Sequence, residues 1–298
     1  MGIVVTGTVA IDNVVTPYGS NINAPGGSAT YFSLSASYFT GVKLVAIVGD
    51  DFPDKYLRLF RRKNICTEGL KIESGKSFRW EGAYDSGLDG AKTIATHLNL
   101  LNTFNPSIPC SYKKESVLFL ANIDPELQLS VLAQTKARLV AADTMNFWIE
   151  NKRKALFKVL KKLDILIINE HEARQLTEEN NLLKAGKRII SLGAGKAIIK
   201  KGSNGSFFVS RSCSFSCPAY PMEDVVDPTG AGDTFAGGVL GYLAGVNRFD
   251  DSAIKKSLAY GSVMASFAVE DYDINSLSRQ DKKSISKRYR LFKKSCYF

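Results

Sequence analysis

Six short apolar runs, spaced along the whole chain, constrain its fold more than any other feature. They are "IVVTGTV" from Ile3, "LVAIVGDDF" from Leu44, "SVLFLANI" from Ser116, "ARLVAADTMN" from Ala137, "DILIINEHE" from Asp164 and "KAIIKKGS" from Lys196. Runs that are apolar almost throughout, rather than at alternate positions, predict strands covered on both faces, as in a parallel sheet. Helix-forming stretches lie between them, clearest over "SATYFSLSASYF" from Ser28 and "EARQLTEENNLLKAGKRIISLG" from Glu172. Strands alternating with helices predict a three-layer α/β/α fold with a mostly parallel central sheet.

Two stretches break the alternation. "NVVTPYGSNINAPGG" from Asn13 and "GKSFRWEGAYDSGLDGAKTIATHLNLLNTF" from Gly75 combine turn residues with period-two apolar patterns. They predict short antiparallel strands outside the main sheet, a small β-strand lid built from residues about 13–25 and 75–105. Such a lid belongs over the carboxyl edge of the sheet, where open α/β folds bind ligands. The 298 residues read as a single domain, 1–298, carrying this lid.

Several function classes are disfavoured. No run approaches the roughly 18 apolar residues of a membrane span. The start, "MGIVVTGTVAID", lacks a secretory signal's basic and apolar segments, so a cytoplasmic protein with no membrane partner is expected. Five scattered cysteines and two histidines make a zinc site or histidine-rich chemistry a poor fit. The net charge of +10 is concentrated in "RQDKKSISKRYRLFKKSCYF" from Arg279. Without a nucleic-acid motif, that segment reads as a solvated terminal helix with a basic face, and no nucleic-acid partner is expected.

The chemistry concentrates in "DPTGAGDTFAGG", residues 227–238, within a strand end, loop and helix. Pro228 disfavours helix at Asp227. From Asp233 onward, Phe235, Val239 and Leu243 recur every four residues and predict a helix with one apolar face. Gly230, Ala231 and Gly232 then stand at its N-terminus, where unpaired amides and the helix dipole attract an anion. Asp233, in the first turn, is the candidate general base for a hydroxyl, while the amides stabilise charge on a transferred phosphoryl group. A plain tight turn with Asp233 as helix cap is the competing reading. Other phosphate motifs fail: "LGAGKA" at 192–197 lacks the P-loop's first glycine and hydroxyl residue, and Phe235 replaces the third glycine of a dinucleotide fingerprint.

"DPTGAGDTFAGG" resembles the C-terminal signature of the ribokinase-like (PfkB) carbohydrate and nucleoside kinases, D-[TP]-x-G-A-G-D-x-F. The resemblance implies a ribokinase-like fold, ATP as phosphoryl donor with Mg²⁺, and a sugar or nucleoside acceptor. It gives Asp233 the role of base, Gly230 to Gly232 that of anion hole, and puts Asp227 beside the phosphate site. "VVTGTVAID" resembles the family's first strand, implying that Asp12 binds substrate hydroxyls, and "APGGSATYFSL" its di-glycine hinge, with Gly26 and Gly27 near the substrate. "DTMNFW" implies Asp143 and Asn146 near substrate or phosphate. "INEHEARQLT" resembles the N-x-x-E motif, so Asn169 would help place the nucleotide and Glu172 the metal, through water. "IIKKGSNGSFF" implies Lys200, Gly202 and Gly205 along the nucleotide. A homodimer through the lid is common in the resembled family.

One departure bears on the acceptor. Many sugar-kinase members carry asparagine where this chain has Tyr31, which favours an aromatic-bearing acceptor such as a nucleoside. Phe78, Arg79 and Trp80 of the lid are candidates to stack on it, or to form a lid core. The alternative function is a non-catalytic nucleotide- or sugar-binding regulator on the same fold.

Overall fold

The computed structural model describes residues 2–88 and 90–296. Its first half runs β1 (Gly2–Thr6), β2 (Ala10–Thr16), β3 (Gly19–Gly26), α1 (Ser28–Ser37), β4 (Gly41–Gly49), α2 (Asp54–Arg62), β5 (Ile65–Glu73), β6 (Phe78–Ala83), β7 (Lys92–His97) and β8 (Val117–Leu120). There follow α3 (Pro125–Leu132), β9 (Leu139–Ala142), α4 (Asn146–Asn151), α5 (Arg153–Leu160), β10 (Ile165–Asn169), α6 (Glu170–Thr177), α7 (Leu182–Ser191) and β11 (Lys196–Lys200). The chain continues through β12 (Ser206–Val209), β13 (Ser214–Cys217), α8 (Ala231–Val246), α9 (Asp251–Ala268), α10 (Asn275–Arg279) and α11 (Lys282–Ser295).

The main sheet has nine strands in the order β13-β12-β11-β10-β9-β8-β1-β4-β5. Pairing is parallel from β11 to β5 and antiparallel only at the β12 and β13 end. Both faces are covered, which is why the strands read as unbroken apolar runs. Ile3 and Val5 enter one core with Phe32, Phe235 and Ile254 of α1, α8 and α9. Val4, between them, enters the other with Leu156, Leu176 and Ile189 of α5, α6 and α7. Alternate side chains on one strand thus feed two cores, and three layers result.

The second sheet is four-stranded, in the order β3-β2-β6-β7. Its outer pairs, β2 with β3 and β6 with β7, are antiparallel, but β2 and β6 pair in parallel, contrary to the all-antiparallel expectation. The two hairpins lie far apart in sequence, so no tight turn dictates how they meet. The strand expected over residues 3–9 ends at Thr6, and the chain enters the second sheet at Ala10, carrying Asp12 with it.

Two helix expectations also need correction. The stretch from Glu172 is two helices, because Glu178 adopts a left-handed conformation at φ +61° and closes α6. Helix α8 is buried over residues 234–241 rather than along one apolar stripe, because α1 and α9 pack against it. Among the described residues, no helix is long and apolar enough to cross a membrane.

Candidate active site

The glycine-rich turn is built by backbone geometry. Asp227 is buried and its Oδ1 accepts the Thr229 amide at 2.9 Å, which folds the chain back before the helix. Gly230 then takes a left-handed conformation, φ +71°, as the residue preceding α8. A Cβ there would lie 2.3 Å from the Tyr31 ring, so only glycine fits against that buried tyrosine. Tyr31 is 3% exposed and supports the turn from beneath. The departure that favoured an aromatic acceptor therefore serves packing.

Asp233 stands in the first turn of α8 and makes no cap hydrogen bond, which removes the reading of it as a helix cap. It is half-buried. Burial pushes its carboxyl up to about 7, with Asp143 adding repulsion and Lys200 opposing. Ala231 and Gly232, just before it, line a cavity of about 700 Å³ with Lys200, Gly202 and Gly205. Lys200 ends β11, and its Nζ pairs with Asp143 Oδ2 at 2.7 Å. Burial lowers that ammonium's proton affinity, but Asp143, Glu172 and Asp233 together drive it above its ordinary value. A methyl group on Gly232 would lie 3.2 Å from Lys200 Nζ, so the ammonium sits beside the turn. Strand ends after β9, β10 and β11 thus converge at one edge of the sheet.

The N-x-x-E motif has a structural use as well. Asn169 Oδ1 accepts the Glu172 amide at 2.8 Å, and Glu172 Oε2 accepts the Asn169 amide at 3.0 Å, a capping box that starts α6. Glu172 is also pushed up to about 7, first by burial, with Asp143 and Asp233 adding and Lys200 opposing. Asn146 opens α4 and is exposed, and no hydrogen bond or ion pair among the described residues joins it to this group.

Asp12 occupies the other side. Its Oδ2 lies against Gly26, where a Cβ would sit at 1.8 Å, and its buried Oδ1 has no protein partner. Burial lifts its carboxyl to about 7, opposed by the Gly27 amide and reinforced by Asp273, Asp227 and Asp233. In the parallel pairing of β2 with β6, Trp80 lies opposite Asp12 and Phe78 opposite Ala10, so both aromatics share Asp12's face of the sheet. Arg79 does not join them; it pairs with Asp51 at 3.1 Å.

Two neighbours escaped the sequence reading. Asp273, 8% exposed and left-handed at φ +64°, is pushed up to about 7 by burial, with Asp227 among its repulsive neighbours. No spacing marks it, because a loop after α9 brings it in; its only signal is a carboxylate in an otherwise irregular "EDYDIN". Tyr84, just beyond β6, shares a 3.2 Å hydrogen bond with Thr229 Oγ1, tying the second sheet to the glycine-rich turn.

Comparison with known proteins agrees with this fold. A cytidine kinase of Thermococcus kodakarensis is 30% identical over 256 residues, which are 83% of this chain and 89% of that protein. A nucleoside kinase of Burkholderia thailandensis, solved with inosine, superposes with a TM-score of 0.82 at 17% identity, over 97% of each chain. The aminoimidazole riboside kinase of Salmonella enterica, solved with aminoimidazole riboside and an ATP analogue, gives 0.74 at 17% identity, over 97% of this chain and 100% of that one. The fold is therefore ribokinase-like. Residues 3–280 match the pfkB family carbohydrate kinases, and the chain belongs to that family of kinases.

Proposed function

We propose that this kinase transfers the γ-phosphoryl group of ATP to the hydroxymethyl group of a nucleoside, with Asp233 as the general base. The carrying observation is the position of that carboxylate, in the first turn of α8 directly after Ala231 and Gly232, which line a large cavity together with Lys200. Asp233 takes the hydroxyl proton, the oxygen attacks the γ-phosphorus, and ADP leaves. The amides of Gly230 and Gly232 and the Lys200 ammonium meet the negative charge on the moving group, while the Ala231 amide donates to Pro228 O at 3.1 Å and holds the turn.

The nucleotide would lie along the cavity past Gly202 and Gly205. The acceptor would lie between Asp12 and the Gly26-Gly27 hinge, with the second sheet as the lid of a single domain. Asp12 suits this role because its unpartnered Oδ1 is ready to accept a ribose hydroxyl. Phe78 and Trp80, on the same face, suit the base.

Mg²⁺ fits the residues present. Among the described residues, no three acidic, histidine or cysteine side chains form a metal cage. Mg²⁺ in phosphoryl-transfer sites keeps several waters and leans on nucleotide phosphates, so Glu172 and Asp143 suffice as water-bridged anchors. Bound there, it would supply positive charge to the nucleotide phosphates. The reading includes a cytoplasmic location, in keeping with the five unpaired cysteines. It also includes a homodimer through the lid, where Val15, Ile22 and Ile94 are 44%, 56% and 61% exposed.

A nucleoside acceptor is favoured over a free sugar by the cytidine kinase likeness and the aromatic face beside Asp12. The test is ADP formation from ATP with cytidine, inosine and adenosine set beside ribose and fructose. At least one nucleoside should exceed every sugar in kcat/KM. A free sugar as the best acceptor would refute the nucleoside reading, and ATP-induced thermal stabilisation without ADP formation from any acceptor would point to the regulator instead.

A further inference from the structure

The basic C-terminal helix lies outside the matched family region, which ends at residue 280, yet it reaches the cavity wall. Tyr220 and Ser266 both line the cavity, and both are held by α11. Arg288 Nη1 donates to Ser266 Oγ at 3.0 Å, while Nη2 pairs with Glu270 Oε1 at 2.6 Å. The guanidinium lies 3.6 Å from the centre of the Phe267 ring and 5.2 Å from that of Tyr220. Phe292, 2% exposed, packs its ring 5.6 Å from Tyr220. Only a planar fork makes both polar contacts while lying on a ring.

Ser266 Oγ also donates to Val263 O at 2.7 Å, which uses its only proton. With one lone pair taken by Arg288, the hydroxyl has a single lone pair left and nothing to donate. It presents a pure acceptor, matched by an amino group rather than a carbonyl on a purine edge.

We propose that Arg288 of α11 is a positioning residue for the phosphoryl donor, holding Ser266 against the C6 edge of the base so that the cavity favours a purine with an amino group at C6, as in ATP, over one with a carbonyl there, as in GTP. The proposal rests on the reading of the cavity as the donor site.

The test is Arg288→Met, which keeps the apolar stem, assayed with ATP and GTP at saturating acceptor. KM for ATP should rise roughly two- to tenfold, the worth of about one neutral hydrogen bond, while kcat and the acceptor KM stay level. The ATP-over-GTP preference should shrink, and Arg288→Lys should restore part of it. Ser266→Ala should give the same loss of preference, and the double variant no more than either single one. Unchanged donor KM and preference in a variant of unchanged melting temperature would overturn the proposal, as would donor KM, acceptor KM and kcat moving together. If Arg288→Met does not fold, Ser266→Ala decides alone, and an intact preference there overturns it. Ala219→Trp, which fills the cavity, checks the underlying reading: no change in ATP KM would sink the donor site itself, whereas a large rise beside a silent Arg288→Met sinks only the role of α11.

Discussion

The two sides of the glycine-rich turn are opposites. On one side Asp12, Asp227 and Asp273 crowd together, each with its carboxyl pushed upward and with Lys55 the main opposing cation, acting on Asp273. On the other, Lys200 is anchored by Asp143 beside a cavity of about 700 Å³ with helix-turn amides at its end. The acidic side is roofed by the second sheet and rich in acceptors, so it suits a neutral ligand covered in hydroxyls. The cationic side suits a polyanion. Phosphoryl transfer needs both, and Asp233 stands between them, repelled by Asp143 and steadied by Lys200.

The largest effect is expected at that junction. Asp233→Asn should lower kcat by about two to four orders of magnitude, the range for losing a general base. Its melting temperature should not fall, since the change removes a carboxyl that burial disfavours as an anion. Both ligands should still bind, because each half keeps its own contacts. Near-normal turnover in steady-state assays would remove the base from its role and leave the two halves without a link.

Changing pH should separate activity from stability on both sides of the turn. As the proposed base, Asp233 must be ionised to work, so activity at saturating substrates should climb as pH rises through about 7. Stability should run the other way. Asp12, Glu172, Asp233 and Asp273 each hold protons in the folded state up to about 7, well above their unfolded values. Protonation therefore favours the folded state: this contribution is complete below the unfolded values near 4 and is lost as pH rises to about 7. Melting temperature in the absence of ligand should fall from pH 5 to pH 8 while turnover increases. Parallel rises in both would contradict the crowding of buried carboxyls.

This contrast was legible in the sequence only in part. The six apolar runs predict the parallel sheet because burial on both faces leaves a local signature. The turn at 227–233 is legible because its glycines, proline and carboxylates are consecutive. Asp273 and Tyr84 carry no such mark, since each reaches the site through a loop whose path depends on distant packing. The parallel meeting of β2 and β6 is equally long-range. Asn169 and Glu172 show the converse: a motif read for its ligand doubles as a capping box, so its presence in a sequence carries two meanings at once.

The smallest expected effect concerns how the acidic half is roofed. Tyr84 OH and Thr229 Oγ1 form a hydrogen bond, at 3.2 Å, between the second sheet and the glycine-rich turn. Burial pushes the Tyr84 hydroxyl up to about 12, so it stays protonated across the working range and can serve as donor or acceptor. Tyr84→Phe keeps the ring and removes this one contact, worth about 0.5–1.5 kcal/mol. If the sheet closes over the acceptor, that loss should appear as a rise of up to about tenfold in acceptor KM, with ATP KM unmoved. Thr229→Val should do the same, and the pair should be non-additive, because either change breaks the same bond. A rise in ATP KM instead would mean that the second sheet covers the donor, and the division of the site into an acidic acceptor half and a cationic donor half would have to be redrawn.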